Sequence, residues 1–249
     1  MKLRGLKRSV RALASQAGFQ IFKTASLPCC TDLVIDLDRL GVDLNDRVIV
    51  DVGANEGQTT DYFQKPYPRS QIVCIEPFPA SFEICRRRFA SNSKISCLQL
   101  ALGAAPGQQS LYLAAESQLH SLKPETAAAN GHSIQVAVDT LDNVCERLGL
   151  GKIDFLKIDT EGADLDVLRG GSRVMSKNGI GFIFAECGFD LSDQRHTSFF
   201  DLYSYLHERG FNFLGLYNVH QSNGRLYFCD ALFMSSRYSH NWKRGFSPG

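Results

Sequence analysis

The 249 residues carry almost no excess of either charge: 27 Lys and Arg stand against 26 Asp and Glu, for a formal net charge of +1. A protein organised around a nucleic-acid backbone normally shows a clear basic excess, so no nucleic-acid partner is expected. The eight cysteines include no C-x-x-C pair, and adjacent Cys29 and Cys30 are poorly placed to hold one metal ion, which removes the usual zinc spacings. No run approaches the ~20 apolar residues that span a bilayer. The N-terminus is basic but lacks the uninterrupted apolar segment of a secretory signal. There is no phosphate-cradling P-loop, no internal repeat and no low-complexity linker.

What is present is ordinary in bulk. Hydrophobic residues make up 44% and charged residues 21%, enough for one α/β domain with a substantial core. Cys74, Cys97, Cys187 and Cys229 lie in apolar, strand-like runs, where a thiol acts as a small hydrophobe, and a reducing cytoplasm is the expected setting. Charge is uneven, however. Lys2, Arg4, Lys7, Arg8, Arg11 and Lys23 precede the first acid, Asp32, leaving the remainder net acidic. Leu3, Leu6, Val10, Leu13, Ala17 and Ile21 follow helical spacing. Residues 1–40 therefore read as a basic amphipathic helical arm before a domain over 41–240. The arm either packs on the domain or contacts an anionic membrane surface or a partner.

From Arg47 onward, short apolar runs alternate with helical patterns. Strands are expected at 48–50, 71–75, 95–102, 111–113, 134–138, 153–158 and 180–185, with helices at 56–64, 80–90, 141–148, 163–177 and 198–209. Segments 211–217 and 226–234 flank Asn223-Gly224, a hairpin signal. This alternation predicts a doubly wound, mostly parallel sheet with helices on both faces and an antiparallel strand from the terminal hairpin.

The first strand runs into Asp51-Val52-Gly53-Ala54-Asn55-Glu56-Gly57. Gly53 and Gly57 permit unusual dihedrals and close backbone approach at a strand's C-terminal end. Their G-x-x-x-G spacing is not the dinucleotide G-x-G-x-x-G. Asp51 would repel a pyrophosphate but suits a cationic, phosphate-free ligand such as S-adenosylmethionine. One strand–helix unit later, Glu76-Pro77 ends the second strand, where an acid accepts hydrogen bonds from ribose hydroxyls. Ala101 and Leu102, closing the third, could flank an adenine ring.

Two carboxylates, Asp159 and Glu161, follow the fourth core strand, and Glu186 ends the fifth. Asp159 could cap the next helix with Glu161 in its first turn, or the acids could bind and deprotonate an acceptor. Three oxygen ligands could hold Mg²⁺, or bind sugar hydroxyls without a metal. His120, in the loop after the third strand, has the ordinary pKa of a general base; His132, His196, His207, His220 and His240 have less claim.

Taken together, these motifs resemble the FkbM family of S-adenosylmethionine-dependent methyltransferases. The matching stretches are DVGANEGQTT (51–60), IEPFPASFE (75–83), ALGAAPG (101–107), Ser121-Leu122 with Pro124, VDTLD (138–142) and IDFLKIDTEGADLDVLRGG (153–171). The resemblance implies a Rossmann-like class I methyltransferase fold with a seven-stranded sheet. It also implies O-methylation of a sugar, glycan or other hydroxyl-bearing natural product. On that reading Asp51, Gly53, Asn55, Gly57, Glu76, Pro77, Ala101 and Leu102 bind the cofactor, and Asp159, Glu161, Glu186 and His120 are candidates for catalysis. A catalytically silent binding or assembly protein on the same fold, and an NAD-dependent oxidoreductase, are the alternatives. Acceptor and oligomeric state are left open.

Overall fold

The computed structural model describes residues 13–19, 21–23, 26–114, 120–123, 132–177, 179–190 and 192–239. The basic stretch from Lys2 to Arg11, with Leu3, Leu6 and Val10 of the expected arm, lies outside the described residues, as do Pro124 and positions 116–119 beside His120. Among the described residues, no helix is long and apolar enough to cross a membrane.

β1 (Val48–Val52), β2 (Gln71–Ile75) and β3 (Ile95–Leu98) pair in parallel, separated by α2 (Gln58–Gln64) and α3 (Pro79–Arg88), while α1 (Leu33–Arg39) precedes them. β7 (Ile153–Ile158) lies on the other side of β1, followed by β8 (Ile180–Gly188), again parallel. The hairpin of β9 (Phe211–Ser222) and β10 (Arg225–Ser235) completes a seven-stranded sheet in the order β3-β2-β1-β7-β8-β10-β9, with β10 antiparallel to both neighbours. Its tip is Asn223-Gly224, both at positive φ (51° and 73°), the conformation that two-residue hairpin turns require.

Burial decides which face each residue takes. All six residues of β7 are buried, as a central parallel strand demands. Val50, Val52, Leu156 and Ile158 pack with α4 (Leu141–Leu148), α5 (Asp164–Gly170), α6 (Ser172–Ser176) and α7 (Phe199–His207). Ile49, Ile72, Phe155 and Phe182 pack on the opposite face, with Phe63 of α2, Cys85 of α3 and Leu33 and Leu37 of α1. Strand alternation thus feeds two cores, one per face.

Three expectations are corrected. The 95–102 strand is two: β3 stays in the main sheet, while β4 (Ala101–Leu102) joins β5 (Gly107–Tyr112) and β6 (Ser133–Asp139) in a separate three-stranded sheet. The 163–177 helix breaks at Gly171 into α5 and α6, because two consecutive glycines, Gly170 and Gly171, are weak helix formers. Helix α1, assigned to the arm, belongs structurally to the core. Leu37 is fully buried, and Asp36 accepts from the Tyr217 hydroxyl of β9 (2.9 Å) and the Cys30 amide (2.6 Å).

Truncating Leu37 to Ala should therefore destabilise the whole domain. Buried Leu→Ala changes cost about 2–5 kcal/mol, which in a chain of this size lowers the thermal midpoint by roughly 4–20 °C. An unchanged midpoint in calorimetry would show that α1 is not part of the cooperative unit.

Candidate active site

In the sheet order the chain reverses direction between β1 and β7, and their carboxyl ends open onto a cavity of about 470 Å³. Crevices at such switch points are where doubly wound sheets bind ligands, and the volume suits a small molecule. Gly53, Asn55, Glu76, Pro77, Ala101 and Leu102 line it, and so do all four expected catalytic residues, Asp159, Glu161, Glu186 and His120.

The cofactor half is built on Glu76. Its Oε2 accepts from the Asn55 amide and its Oε1 from the Phe78 amide, each at 2.8 Å. Burial raises the carboxyl's pKa, and the two amides oppose that rise. Each oxygen keeps a second lone pair for a hydroxyl donor. Leu100, Ala101, Leu102, Leu111 and Leu122 supply an apolar wall beside it, suited to a planar base. His120 stands edge-on to Phe78 (4.4 Å between ring centres), and its Nδ1 accepts from the Ala114 amide at 3.0 Å. Burial lowers its pKa, so the ring is neutral with one nitrogen committed.

Asp51 and Gly57, expected at the ligand, do not line the cavity. Asp51 is fully buried beneath it, accepting from Thr60 Oγ1 at 2.8 Å, with Lys157 Nζ 3.6 Å from its other oxygen. Gly57 serves packing: a Cβ there would lie 2.5 Å from the Phe89 ring. Gly53 has φ +74°, and a Cβ would fall 1.8 Å from the Asp159 carbonyl oxygen, so only glycine lets these two strand ends meet. Lys157, not singled out from sequence, is the link. Paired with Asp51 in the β1/β7 register, it reaches the Gly53 carbonyl (3.4 Å) and Asp159 Oδ2 (3.2 Å). Burial alone would lower its pKa, but Asp159 and Asp51 outweigh that and raise it, so it stays charged. A cation in a strand otherwise buried and apolar but for Asp154 was the available signal, since buried Lys needs partners.

The capping role considered for Asp159 is overturned. Helix α5 starts only at Asp164, with no side-chain cap from Ala163, and Asp159 remains 37% exposed at the cavity. Between them Glu161 and Gly162 turn through positive φ (51° and 96°), and a Cβ on Gly162 would sit 2.5 Å from the Arg195 carbonyl. Glu161 is held by Arg195 through two bonds (2.7 and 3.2 Å), and its own carbonyl accepts from Ser121 Oγ at 2.8 Å. Burial raises its pKa while Arg195 limits the rise, so Glu161 is a braced, ion-paired group and a poor choice of base. Fully buried Asp164 accepts from Thr197 Oγ1 (2.8 Å), and burial raises its pKa to about 6.

Glu186 differs. Burial and the neighbouring Asp159, Glu161, Asp164 and Asp230 push its pKa to about 10, so it is a carboxylic acid at neutral pH. The Mg²⁺ trio does not assemble as expected: Asp159 is paired with Lys157 and Glu161 with Arg195, and at this rim, among the described residues, it is Glu161, Glu186 and His196 whose polar atoms lie within 4.8 Å of one another. His196, given little weight from sequence, is almost fully buried beside Glu186. His220, Phe228 and Arg195 also line the cavity. No motif announced them, because they come from the 189–198 loop and the hairpin, far in sequence from the strand-end motifs.

S-adenosylmethionine fits these residues. Thr160 Oγ1 is buried in the cavity wall with no hydrogen-bond partner among the described residues, Glu76 offers acceptors, and acids line the end where a sulfonium and ammonium would lie. The sheet order and single antiparallel strand define the class I methyltransferase fold. The methyltransferase FkbM domain model matches residues 51–213, and the chain belongs to that family of S-adenosylmethionine-dependent methyltransferases. It is 34% identical over 148 residues to Methyltransferase 1 of Beauveria bassiana, covering 51% of this chain and 59% of that protein. It is 26% identical over 155 residues to 2-O-methyltransferase NoeI of Sinorhizobium fredii, covering 57% and 63%. It is 31% identical over 153 residues to Methyltransferase sdnD of Sordaria araneosa, covering 49% and 59%. The match thus spans about three-fifths of the length of each relative.

Two outcomes follow. Glu76→Ala should weaken S-adenosylmethionine binding roughly tens-fold, since hydrogen bonds to a charged group contribute about 1.5–3 kcal/mol; an unchanged Kd by calorimetry would place the ribose elsewhere. Glu186 has a folded-state pKa of about 10 against an ordinary 4.5. Its stabilising contribution is therefore complete below the ordinary value and is lost as pH rises toward the folded one. Glu186→Gln, which cannot ionise, should gain in thermal midpoint relative to the native chain as pH is raised from about 5 to 9; a constant difference would mean that Glu186 is ionised in the fold.

Proposed function

We propose that this chain transfers the methyl group of S-adenosylmethionine to a hydroxyl oxygen of a sugar, glycan or other natural product. The observation that carries this reading is the group of carboxyls at one end of the cofactor cavity. Asp159 is held by Lys157 and still partly exposed, and the neutral acid Glu186 stands beside it. The cofactor supplies an electrophilic methyl on a sulfonium. The chain orients a weakly nucleophilic O–H toward it, and this group of acids takes up the proton released as the C–O bond forms. That a similar protein bears the name 2-O-methyltransferase supports oxygen as the methylated atom. The basic N-terminal stretch is proposed to stand apart from the chemistry, as a contact to an anionic surface or partner.

The test is incubation with methyl-labelled S-adenosylmethionine and a panel of methyl hexosides, 6-deoxyhexosides and chitin oligosaccharides, the product being mapped by NMR. An O-methyl ether is expected, together with binding of S-adenosylhomocysteine and no comparable binding of NAD. Exclusive N- or C-methylation on a broader panel, or tighter binding of NAD, would overturn the reading.

A further inference from the structure

Glu186 stands among four carboxylates and carries its proton at rest, so it cannot act as a simple base. Behind it lie two residues, His196 and Asp193, that do not line the cavity. His196 Nδ1 is 2.6 Å from Asp193 Oδ2, and its Nε2 faces Glu186 Oε2 at 3.8 Å. The side chains of His196 and Asp193 are only 2% and 7% exposed. Asp193 thus fixes the tautomer with hydrogen on Nδ1 and leaves the Nε2 lone pair pointing at the acid.

The surroundings lock this ring. It stacks on Phe228 (4.6 Å, 10° between planes) and meets Tyr227 edge-on. The residues on either side of it are each tied to the cavity floor, Arg195 to Glu161 and Thr197 to Asp164. Gly188 makes the room: a Cβ there would come 3.0 Å from His196 Cβ and 3.1 Å from Asp193 Oδ2.

We infer that Glu186, His196 and Asp193 form a proton relay, in which His196 is the resting place of the proton released by the acceptor hydroxyl. This rests on the methyl-transfer reading and adds the proton's route. As the oxygen takes the methyl group, its proton bonds to one oxygen of Glu186, and the proton already on the other passes to His196 Nε2. Glu186 is a neutral acid before and after, and His196 becomes an imidazolium against Asp193. Of the charged groups facing Glu186, Asp159, Glu161, Asp164 and Asp230 oppose its ionisation, while Arg195 is engaged with Glu161 and Lys157 with Asp51 and Asp159. Handing the proton on avoids a fifth negative charge. The 3.8 Å gap closes by a small movement of Glu186 or through one water, since catalytic hydrogen bonds commonly tighten only in the loaded complex.

Two arms test the relay. In the cofactor-free chain at about pH 7.5, infrared spectra should show a protonated carboxyl band that Glu186→Gln removes, and nitrogen NMR should show His196 neutral with hydrogen on Nδ1. An ionised Glu186 or a doubly protonated His196 at rest would overturn the relay whatever the acceptor. On the glycoside panel, His196→Gln should lower turnover roughly 10²–10⁴-fold with S-adenosylmethionine affinity unchanged, and Asp193→Asn should displace the acid limb of the pH–rate profile. Near-native turnover by a folded, cofactor-binding His196→Gln chain would also overturn it. Failure of the native chain to bind S-adenosylmethionine would instead sink the function proposed above, and failure to methylate any glycoside would sink the acceptor class while the spectroscopic arm still decides the relay.

Discussion

The buried ammonium of Lys157 holds the site together. A charge taken out of water costs several kcal/mol unless it is closely paired. Here the pairing is with Asp51 below and Asp159 above, and the Gly53 carbonyl completes it. Because Asp51 and Lys157 are register partners on adjacent strands, the ion pair also fixes how β1 and β7 lie against each other. That alignment brings the ends of the two strands so close that residue 53 has no space for a side chain. Strand register, cofactor loop and the position of Asp159 are consequences of one buried cation and its two carboxylates.

The same logic orders the rest of the cavity. Arg195 covers Glu161 as Lys157 covers Asp51 and Asp159, and Thr197 satisfies Asp164 without charge. Glu186 has four other carboxyls around it, and burial among like charges pushes its pKa up. One rim therefore holds carboxyls braced by cations, Asp159 and Glu161, beside one that burial among like charges favours as an acid. Environments that push apart the pKa values of similar groups are how a site assigns different proton roles to them.

Much of this was legible in the sequence, where local pattern and spatial position coincide. In a doubly wound sheet a strand's last residues must face the crevice, so Gly53, Glu76, Asp159 and Glu186 could be placed together from periodicity alone. The misreadings have a common cause. Asp51 sits too deep in its strand: its register partner is Cys74, two residues before Glu76, so it bonds Thr60 of α2 beneath the cavity that Glu76 reaches. The capping reading of Asp159 assumed that a helix follows the strand at once, whereas two residues at positive φ intervene. His196, Arg195 and Phe228 were passed over because their relevance depends on the loop after β8 and the terminal hairpin folding back over the strand ends. Long-range contacts of that kind leave no local period.

The turn at Glu161 shows how the two halves of the cavity are joined. A non-glycine residue at φ 51° costs of order 1–3 kcal/mol and persists only where its surroundings determine it. Its carbonyl is bonded by Ser121, from the loop that carries His120 against the apolar wall of the cofactor half. Its carboxylate is bonded by Arg195, from the loop that carries His196 behind the acids. Both loops therefore close on a single strained residue.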